Sequence, residues 1–191
     1  INPKVLFITD SLEDLDLKKD TSILMMEESI KLGFDVYQCL VEDLYAENSE
    51  VIVFAKKITT VSTSEIKFED ASTHSIKTFE YSFMRKDPPV DEDYMNALHL
   101  LGLAQAMGTK VFNNPVSIKE FNEKVFAIHF AKYIPETLIS SKIDKIKSFT
   151  KDKKEIVVKP LDGMGGKSIY KMDKIQDSEI ETLLKMTNNE S

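Results

Sequence analysis

The sequence predicts an α/β protein: a mainly parallel sheet with helices in the N-terminal part, followed by a smaller α+β part. Two short apolar runs, 4–9 and 34–40, flank a capped helix, which is typical of buried parallel strands joined by a crossover. Two further strand-like runs, 155–160 and 168–172, flank a glycine-rich stretch and predict the second part.

The chain opens with a strand–helix–strand pattern. The runs "KVLFIT" (4–9) and "FDVYQCL" (34–40) each suit a buried strand. Between them, Asp20 is a good N-cap for a helix that extends to about Leu32, and Gly33 follows in the position where helices favour glycine. We therefore expect two parallel strands joined by a right-handed crossover.

The middle of the chain has a different character. Residues 51–83 are rich in β-branched and aromatic residues with polar breaks, which predicts a hairpin or excursion and then a strand that returns to the sheet. Asp91 then caps a strongly periodic helix to about Met107, which Gly108 ends. The run "KVFN" (110–113) is a further short strand.

The turn signal "NNP" (113–115) places a domain seam, so we predict domains at 1–115 and 116–191. A capping box is expected to open a helix just after this seam. The box consists of Ser117 with Glu120, and the apolar positions of the helix are Ile118, Phe121, Val125 and Ile128. Beyond it we predict a strand at "ETLISS" (136–141), a helix at 142–150, strands at "EIVVKP" (155–160) and "SIYKM" (168–172), and a final helix at 177–187.

Composition excludes several classes of protein. The hydrophobic content of 42% and charged content of 30% are those of a globular protein, and the net charge of −7 argues against a general nucleic-acid or membrane-surface binder. No apolar run reaches the length of about 18 residues that spans a bilayer, and the start lacks a secretory signal. Cys39 is the only cysteine, so we expect a buried strand residue, with a reactive thiol as the alternative, and a reducing, cytoplasmic location. The histidines show no metal-ligand spacing, so no metal site is predicted in this chain.

The stretch "KPLDGMGGKS" (159–168) is a candidate ligand site. It is not a P-loop, because that motif needs a glycine where Leu161 stands and must open a helix. A glycine-rich loop between two strands can still cradle phosphates through its free N–H groups, and Lys159 at the strand end would place a positive charge beneath it. A flexible hairpin turn with a surface lysine is the alternative.

Two other positions carry charges that suit an anionic ligand. Lys124 lies beside the apolar face of its predicted helix, so it either borders a cleft or is a surface lysine. In "FMRKDPP" (83–89), Arg85 and Lys86 follow a strand, at the sheet edge where open α/β folds bind ligands, and an arginine there suits a carboxylate. Asp10 follows the first strand at the same edge. An ordinary charged loop is the alternative.

These segments resemble a known family. The blocks "FMRKDPP", "NNPVSIKEFNEKVFAIHF", "PETLIS" and "VVKPLDGMGGKSIY" are similar, in order and spacing, to those of the bacterial glutathione synthetases, which are ATP-grasp ligases. The N-terminal segment "TDSLEDLDLKKDTS" also resembles that family. The resemblance implies a Rossmann-like, pre-ATP-grasp domain followed by the first, partial ATP-grasp subdomain.

The resemblance also implies residue roles. Lys124 and Lys159 correspond to lysines that contact ATP phosphates, and Arg85 corresponds to an arginine that lines the peptide-substrate site, where we assign it a catalytic role. Asp10 is assigned to the same substrate site. The loop expected to close over the phosphates consists of Gly163, Met164, Gly165 and Gly166.

The implied reaction joins γ-glutamylcysteine to glycine through an acyl phosphate, with ATP and Mg²⁺. The expected partners are these small molecules, with no nucleic acid and no membrane, and a homo-oligomer is left open. The family's Mg²⁺ ligands have no counterpart here, so we expect them in a later segment and expect the 191-residue chain alone to be inactive. The alternatives are another ATP-grasp carboxylate–amine ligase or a non-catalytic nucleotide-binding fragment.

Overall fold

The structure, a computed structural model, describes residues 2–161 and 169–172. The chain divides into two compact units, Ile1–Glu120 and Phe121–Ser191. The predicted boundary between 115 and 116 stays a prediction.

Unit one is built on an eight-stranded sheet. Six strands form its main path in the order β3–β4–β2–β1–β7–β8, and β5 and β6 also pair with β4. The pairs β1–β2, β1–β7 and β7–β8 are parallel, whereas every pair that involves β4 is antiparallel. The strands are β1 (Lys4–Ile8), β2 (Asp35–Cys39), β3 (Leu44–Glu47), β4 (Glu50–Val61), β5 (Ile66–Phe68), β6 (Ser72–Ser75), β7 (Tyr81–Met84) and β8 (Val111–Phe112).

The predicted strand–helix–strand opening is confirmed. Helix α1 spans Thr21–Lys31, and the Asp20 carboxylate accepts a hydrogen bond from the Ser22 backbone N–H at 2.7 Å. The chain leaves the helix through Gly33, whose φ of +85° lies in the region that only glycine adopts readily. Strands β1 and β2 then run parallel, with Leu6 opposite Tyr37.

The excursion predicted for residues 51–83 is also confirmed. Strand β4 runs antiparallel to β2 and carries β3, β5 and β6 along its length. The chain then returns through β7, which pairs with β1 in parallel register. This return places the end of β7 beside the end of β1, which decides where the charged residues that follow them lie.

Two helices cover opposite faces of the sheet. Along β1, Val5 and Phe7 pack in one cluster with residues of α1, whereas Leu6 and Ile8 pack in another with residues of α2 (Glu92–Ala106). This alternation follows from the two-residue repeat of a strand. As predicted, Asp91 caps α2 by accepting from the Tyr94 N–H at 2.9 Å. No helix in the described part of the chain has the length and apolarity needed to cross a bilayer.

The helix predicted from the capping box at residues 117–128 is wrong in two respects. Helix α3 (Pro115–Glu120) starts earlier, because Asn114 Oδ1 accepts from the N–H groups of Val116 and Ser117 at 3.0 Å each. Ser117 is therefore inside the helix and does not cap it. The helix also ends before Asn122, which adopts an extended conformation and caps a separate helix α4 (Glu123–Phe126), followed by a 3₁₀ stretch, Ala127–Tyr133.

Unit two confirms the predicted helix at 142–150 and the two predicted strands around the glycine-rich stretch. Helix α5 spans Ile143–Thr150, and β9 (Ile156–Val158) pairs antiparallel with β10 (Tyr170–Met172). The predicted strand at 136–141 is wrong: none of the described strands runs alongside this segment, and a strand needs such a partner for its N–H and C=O groups. The helix predicted at 177–187 lies outside the described residues.

Candidate functional site

The carboxyl edge of the parallel strands gathers charged residues from distant parts of the sequence. The backbone N–H of Arg85, just after β7, donates to the Ile8 carbonyl at 2.8 Å, so it adds one more link to the β1–β7 ladder. Asp10 lies two residues beyond Ile8, and the first turn of α1 lies at the same edge, where Thr21 contacts the Arg85 side chain. The sequence-predicted residues Asp10 and Arg85 are thus brought together.

The Arg85 guanidinium is held by hydroxyl groups. Its Nη2 donates to Thr21 Oγ1 at 2.6 Å, and its Nε lies 3.4 Å from Ser22 Oγ. Among the residues that the structure describes, no carboxylate forms an ion pair with it. Arg85 is also the only arginine in the 191-residue chain, which uses lysine at every other basic position. A planar guanidinium that forms no ion pair with the described residues is suited to a bidentate bond with a carboxylate.

The neighbouring cation, Lys86, is compensated. Its Nζ forms an ion pair with Asp10 Oδ1 at 2.7 Å and donates to the Asp87 carbonyl oxygen at 2.6 Å. The other oxygen of Asp10, Oδ2, accepts from the Asp87 backbone N–H at 3.0 Å. Of the two adjacent cations, Lys86 forms an ion pair, whereas no carboxylate among the described residues lies within ion-pair distance of the Arg85 guanidinium.

Burial and neighbouring carboxylates both act on two titratable groups beside these cations. Burial raises the pKa of the Asp87 carboxyl, and the charges of Asp10 and Asp20 raise it further, while Lys86 and Arg85 oppose the shift. The pKa of the Tyr94 phenol is raised by burial and then by Asp87 and Asp10. Burial is thus the largest cause of both shifts, and the charges of Lys86 and Arg85 reach the Asp87 carboxyl.

A buried polar cluster lies beneath Asp10. Gln38 is 3% exposed, and its Nε2 donates to Thr9 Oγ1 at 3.1 Å and lies 3.3 Å from the Asp10 carbonyl. The fully buried hydroxyl of Thr9 donates to that same carbonyl at 2.7 Å. These bonds hold the backbone at the point where the chain leaves β1.

In unit two, Lys124 lies close to the start of the glycine-rich stretch. Its Nζ donates to the Leu161 carbonyl at 3.2 Å and lies 3.3 Å from Glu123 Oε1, with a side chain only 20% exposed. Asn122 positions it, because Asn122 Oδ1 accepts from the N–H groups of Lys124 and Val125 and thereby caps α4. From the sequence, Lys124 is expected either to border a cleft or to be a surface lysine. Its contact with the Leu161 backbone and its low exposure favour the first interpretation.

Lys159 follows β9 directly and is exposed. The stretch between β9 and β10 joins two strands, as predicted, and these strands pair antiparallel through Val158 and Tyr170. The predicted phosphate-binding loop, Gly163, Met164, Gly165 and Gly166, lies outside the described residues. The phosphate-binding roles of Lys124 and Lys159 remain predictions.

Within residues 2–161 and 169–172, no three His, Cys, Asp or Glu side chains converge in a way that could hold a metal ion. The described residues thus offer no cluster of three such ligands to Mg²⁺, an ion that usually takes one or two carboxylates together with substrate phosphates. Cys39, as predicted, is a buried strand residue, and burial holds the pKa of its thiol well above the ordinary value.

Sequence reasoning missed four residues that support the candidate residues, three of them in unit one and one in unit two. Thr21 and Ser22 hold Arg85, and the available signal was their place in the first turn of the crossover helix, which lies at the carboxyl edge in this topology. Asn122 could have been recognised as an N-cap two residues before Lys124. Nothing local marks Gln38, because its partners lie 28 and 29 residues away.

Two family models together match almost the whole chain. The model of the prokaryotic glutathione synthetase N-terminal domain matches residues 4–119, and that of the prokaryotic glutathione synthetase ATP-grasp domain matches residues 123–191. The glutathione synthetase of Vibrio vulnificus (strain YJ016) is 32% identical over 188 residues, which are 97% of this chain and 59% of that protein. That of Neisseria meningitidis serogroup A is 33% identical over 192 residues, covering 96% and 60%. The chain thus spans about three fifths of the length of these curated relatives.

Solved structures show the same fold at low sequence identity. D-alanyl-alanine synthetase A from Vibrio cholerae matches with a TM-score of 0.57 and 14% identity, over 100% of this chain and 58% of that one. D-cycloserine synthetase DcsG matches with a TM-score of 0.56 and 17% identity, over 95% and 53%. Together with the family models, these matches confirm the predicted fold class.

Proposed function

We propose, from the premise that this chain belongs to the prokaryotic glutathione synthetase family, that its protein joins γ-glutamylcysteine to glycine at the expense of ATP. In this reaction the terminal phosphoryl group of ATP passes to the cysteinyl carboxylate and leaves ADP. The glycine amine then attacks the acyl phosphate, forms the peptide bond and expels phosphate. Such chemistry needs charge stabilisation and positioning more than a protein nucleophile.

The observation that carries the proposal is the position and the bonding of the Arg85 guanidinium. Arg85 lies at the carboxyl edge of the parallel strands, its guanidinium is held by the hydroxyls of Thr21 and Ser22, and no described carboxylate lies within ion-pair distance of it. We assign it to a carboxylate of the dipeptide substrate, in contact with substrate and therefore catalytic in that sense. Asp10 belongs to the same substrate site.

We assign the ATP phosphates to unit two. Lys124 and Lys159 would supply positive charge, and the backbone N–H groups of the loop would close over the phosphates. The loop comprises Gly163, Met164, Gly165 and Gly166. The match of residues 123–191 to the ATP-grasp domain model supports this assignment. Exclusion of water by a closed loop would protect the acyl phosphate from hydrolysis.

Three further elements complete the proposal. Mg²⁺ would neutralise phosphate charge when bound, and its ligands are assigned to residues other than those described here. The domain boundary is placed between 115 and 116. The reaction is assigned to the cytoplasm, where a lone buried thiol such as Cys39 stays reduced.

The experiment measures ADP release by the full-length protein that carries this sequence. We expect release with γ-glutamylcysteine plus glycine and much less with other amino-acid or dipeptide pairs, such as two D-alanines. Equal or greater release with another pair would replace the proposal with a different carboxylate–amine ligase. Nucleotide binding without release from any pair would favour the non-catalytic alternative.

The Arg85→Lys variant tests the assignment of Arg85 to a substrate carboxylate, because it keeps the positive charge and removes the bidentate geometry. Hydrogen bonds to a charged group contribute enough that KM for the dipeptide should rise roughly 10- to 100-fold. The matched control is Lys77→Ala, which removes an exposed cation paired with Glu50 and should leave KM unchanged.

A further inference from the structure

We propose that Asp10 is a positioning residue: its carboxylate extends the β1–β7 pairing beyond the ends of the strands and thereby fixes the segment that carries Arg85. The proposal rests on the function proposed above for Arg85, and it concerns how the chain holds that residue ready for a substrate carboxylate.

The first step of the argument is the geometry of the strand ends. The last backbone bond between the two strands joins the Arg85 N–H to the Ile8 carbonyl at 2.8 Å. Beyond it the next bond in the same direction comes from a side chain, since Asp10 Oδ2 accepts from the Asp87 N–H at 3.0 Å. Arg85 is thus held on both sides, by its own N–H and by that of the residue two positions later.

The second step concerns the other carboxylate oxygen of Asp10, Oδ1, which pairs with Lys86. Asp10 Oδ1 binds Lys86 Nζ at 2.7 Å, and the side chains are only 30% and 18% exposed. A partly buried pair of this kind is less screened than a surface ion pair, so it restrains both partners more strongly. The bond also removes Lys86 as a competing anion site, which leaves Arg85 as the cation available to a substrate carboxylate.

The third step is that the backbone of Asp10 is held in place by buried polar side chains. Its carbonyl oxygen accepts from the buried hydroxyl of Thr9 at 2.7 Å, and Gln38 Nε2 lies 3.3 Å away. Buried, mutually satisfied polar groups of this kind favour one backbone conformation. With its backbone fixed and both of its carboxylate oxygens bonded within the protein, Asp10 is suited to orient Lys86 and Asp87. Its negative charge disfavours direct contact with an anionic substrate.

The test uses the full-length protein with Asp10→Asn, Lys86→Met and the double variant. Misplacing a binding group by about an ångström can cost a factor of up to ~100, so we expect Asp10→Asn to raise KM for γ-glutamylcysteine roughly 10- to 100-fold. We expect kcat and the KM for ATP to change by less than about twofold. Because Asp10 acts partly through Lys86, the double variant should raise KM less than the product of the two single effects.

The matched control is Asp35→Asn. Asp35 forms a similar partly buried pair with Lys57, at 3.2 Å, but at the start of β2, the opposite end of the sheet. We expect this variant to lower Tm without changing either KM. An Asp10→Asn variant that behaved like Asp35→Asn would show a merely structural role and overturn the proposal. Multiplicative effects of Asp10→Asn and Lys86→Met would also overturn it, in favour of direct substrate contact by Asp10.

A second measurement separates failure of this proposal from failure of the proposed function. Hydrogen exchange of the Asp87 amide, read in the ligand-free protein, should accelerate at least about tenfold in Asp10→Ala and remain unchanged in Asp35→Asn. If the wild-type protein releases no ADP with the dipeptide but this acceleration is seen, the positioning role stands and the substrate assignment falls. If the Asp87 amide exchanges at the wild-type rate in Asp10→Ala, the positioning role is overturned regardless of activity.

Discussion

Lys124 Nζ donates a hydrogen bond to the carbonyl oxygen of Leu161 at 3.2 Å, although 37 residues separate them in the sequence. Asn122 Nδ2 approaches the same carbonyl at 3.5 Å. Two side chains of one short helical segment thus meet the backbone that leads into the glycine-rich stretch. This relationship ties the position of a predicted phosphate-binding lysine to the chain that it would serve.

Replacing Asn122 by alanine should weaken nucleotide binding as well as stability. The change removes the N-cap of α4 and one contact to Leu161, and a lost cap costs about 0.5–2 kcal/mol. Because Lys124 follows in the same turn, we expect nucleotide affinity, measured by titration calorimetry of the full-length protein, to fall several-fold. The control is Ser140→Ala, which removes a bond to the Lys142 N–H and should leave affinity unchanged. Equal affinities in the two variants would contradict the link between Asn122 and the nucleotide.

Lys159→Ala should lower nucleotide affinity by roughly 10- to 100-fold, because an ammonium-to-phosphate bond is charge-assisted. The comparison variant is Lys171→Ala in the partner strand β10, where the lysine is 63% exposed and paired with Glu155. We expect no change for that variant in the same titration. If Lys159→Ala bound ATP as tightly as wild type, the phosphate role of Lys159 would be wrong.

Asp87→Asn should stabilise the protein at neutral pH. Since burial and then Asp10 and Asp20 raise the folded-state pKa of this carboxyl, its ionised form destabilises the native state at every pH above that pKa. The destabilisation disappears as pH falls through the folded pKa to the unfolded value of about 3.9. Thermal melts from pH 7 to pH 3.5 should therefore show a higher Tm for the variant at pH 7 and a difference that shrinks towards zero. A difference that grew on acidification would have the opposite sign from this expectation.

Two leucines of α2 offer a direct test of the packing. Leu98 is fully buried in the cluster that includes Leu6 and Ile8, whereas Leu103 on the same helix is 42% exposed. Leu98→Ala should lower the free energy of unfolding by about 2–5 kcal/mol, measured by urea denaturation. Leu103→Ala should change it by no more than about 0.5 kcal/mol. Similar losses in both variants would mean that this helix packs through another face.

Much of the fold was predictable because its signals are local. Asp20 and Asp91 cap helices where the sequence placed them, and the apolar runs of β1 and β2 are strands. The prediction failed at residues 114–133, where Asn114 and Asn122 compete successfully with the Ser117 capping box. It failed again at 136–141, since whether an extended segment becomes a strand depends on a neighbour that its own residues do not specify.

For the candidate site, the sequence by itself determined which residue types are available: a single arginine, an adjacent lysine and an aspartate after the first strand. Only the tertiary structure decided which of these charged residues pair with one another. Asp10 compensates Lys86 and leaves Arg85 to the hydroxyls of Thr21 and Ser22. The physical reason is that charge compensation depends on distances of a few ångströms, which the parallel pairing of β1 with β7 creates between residues about 75 positions apart in the chain.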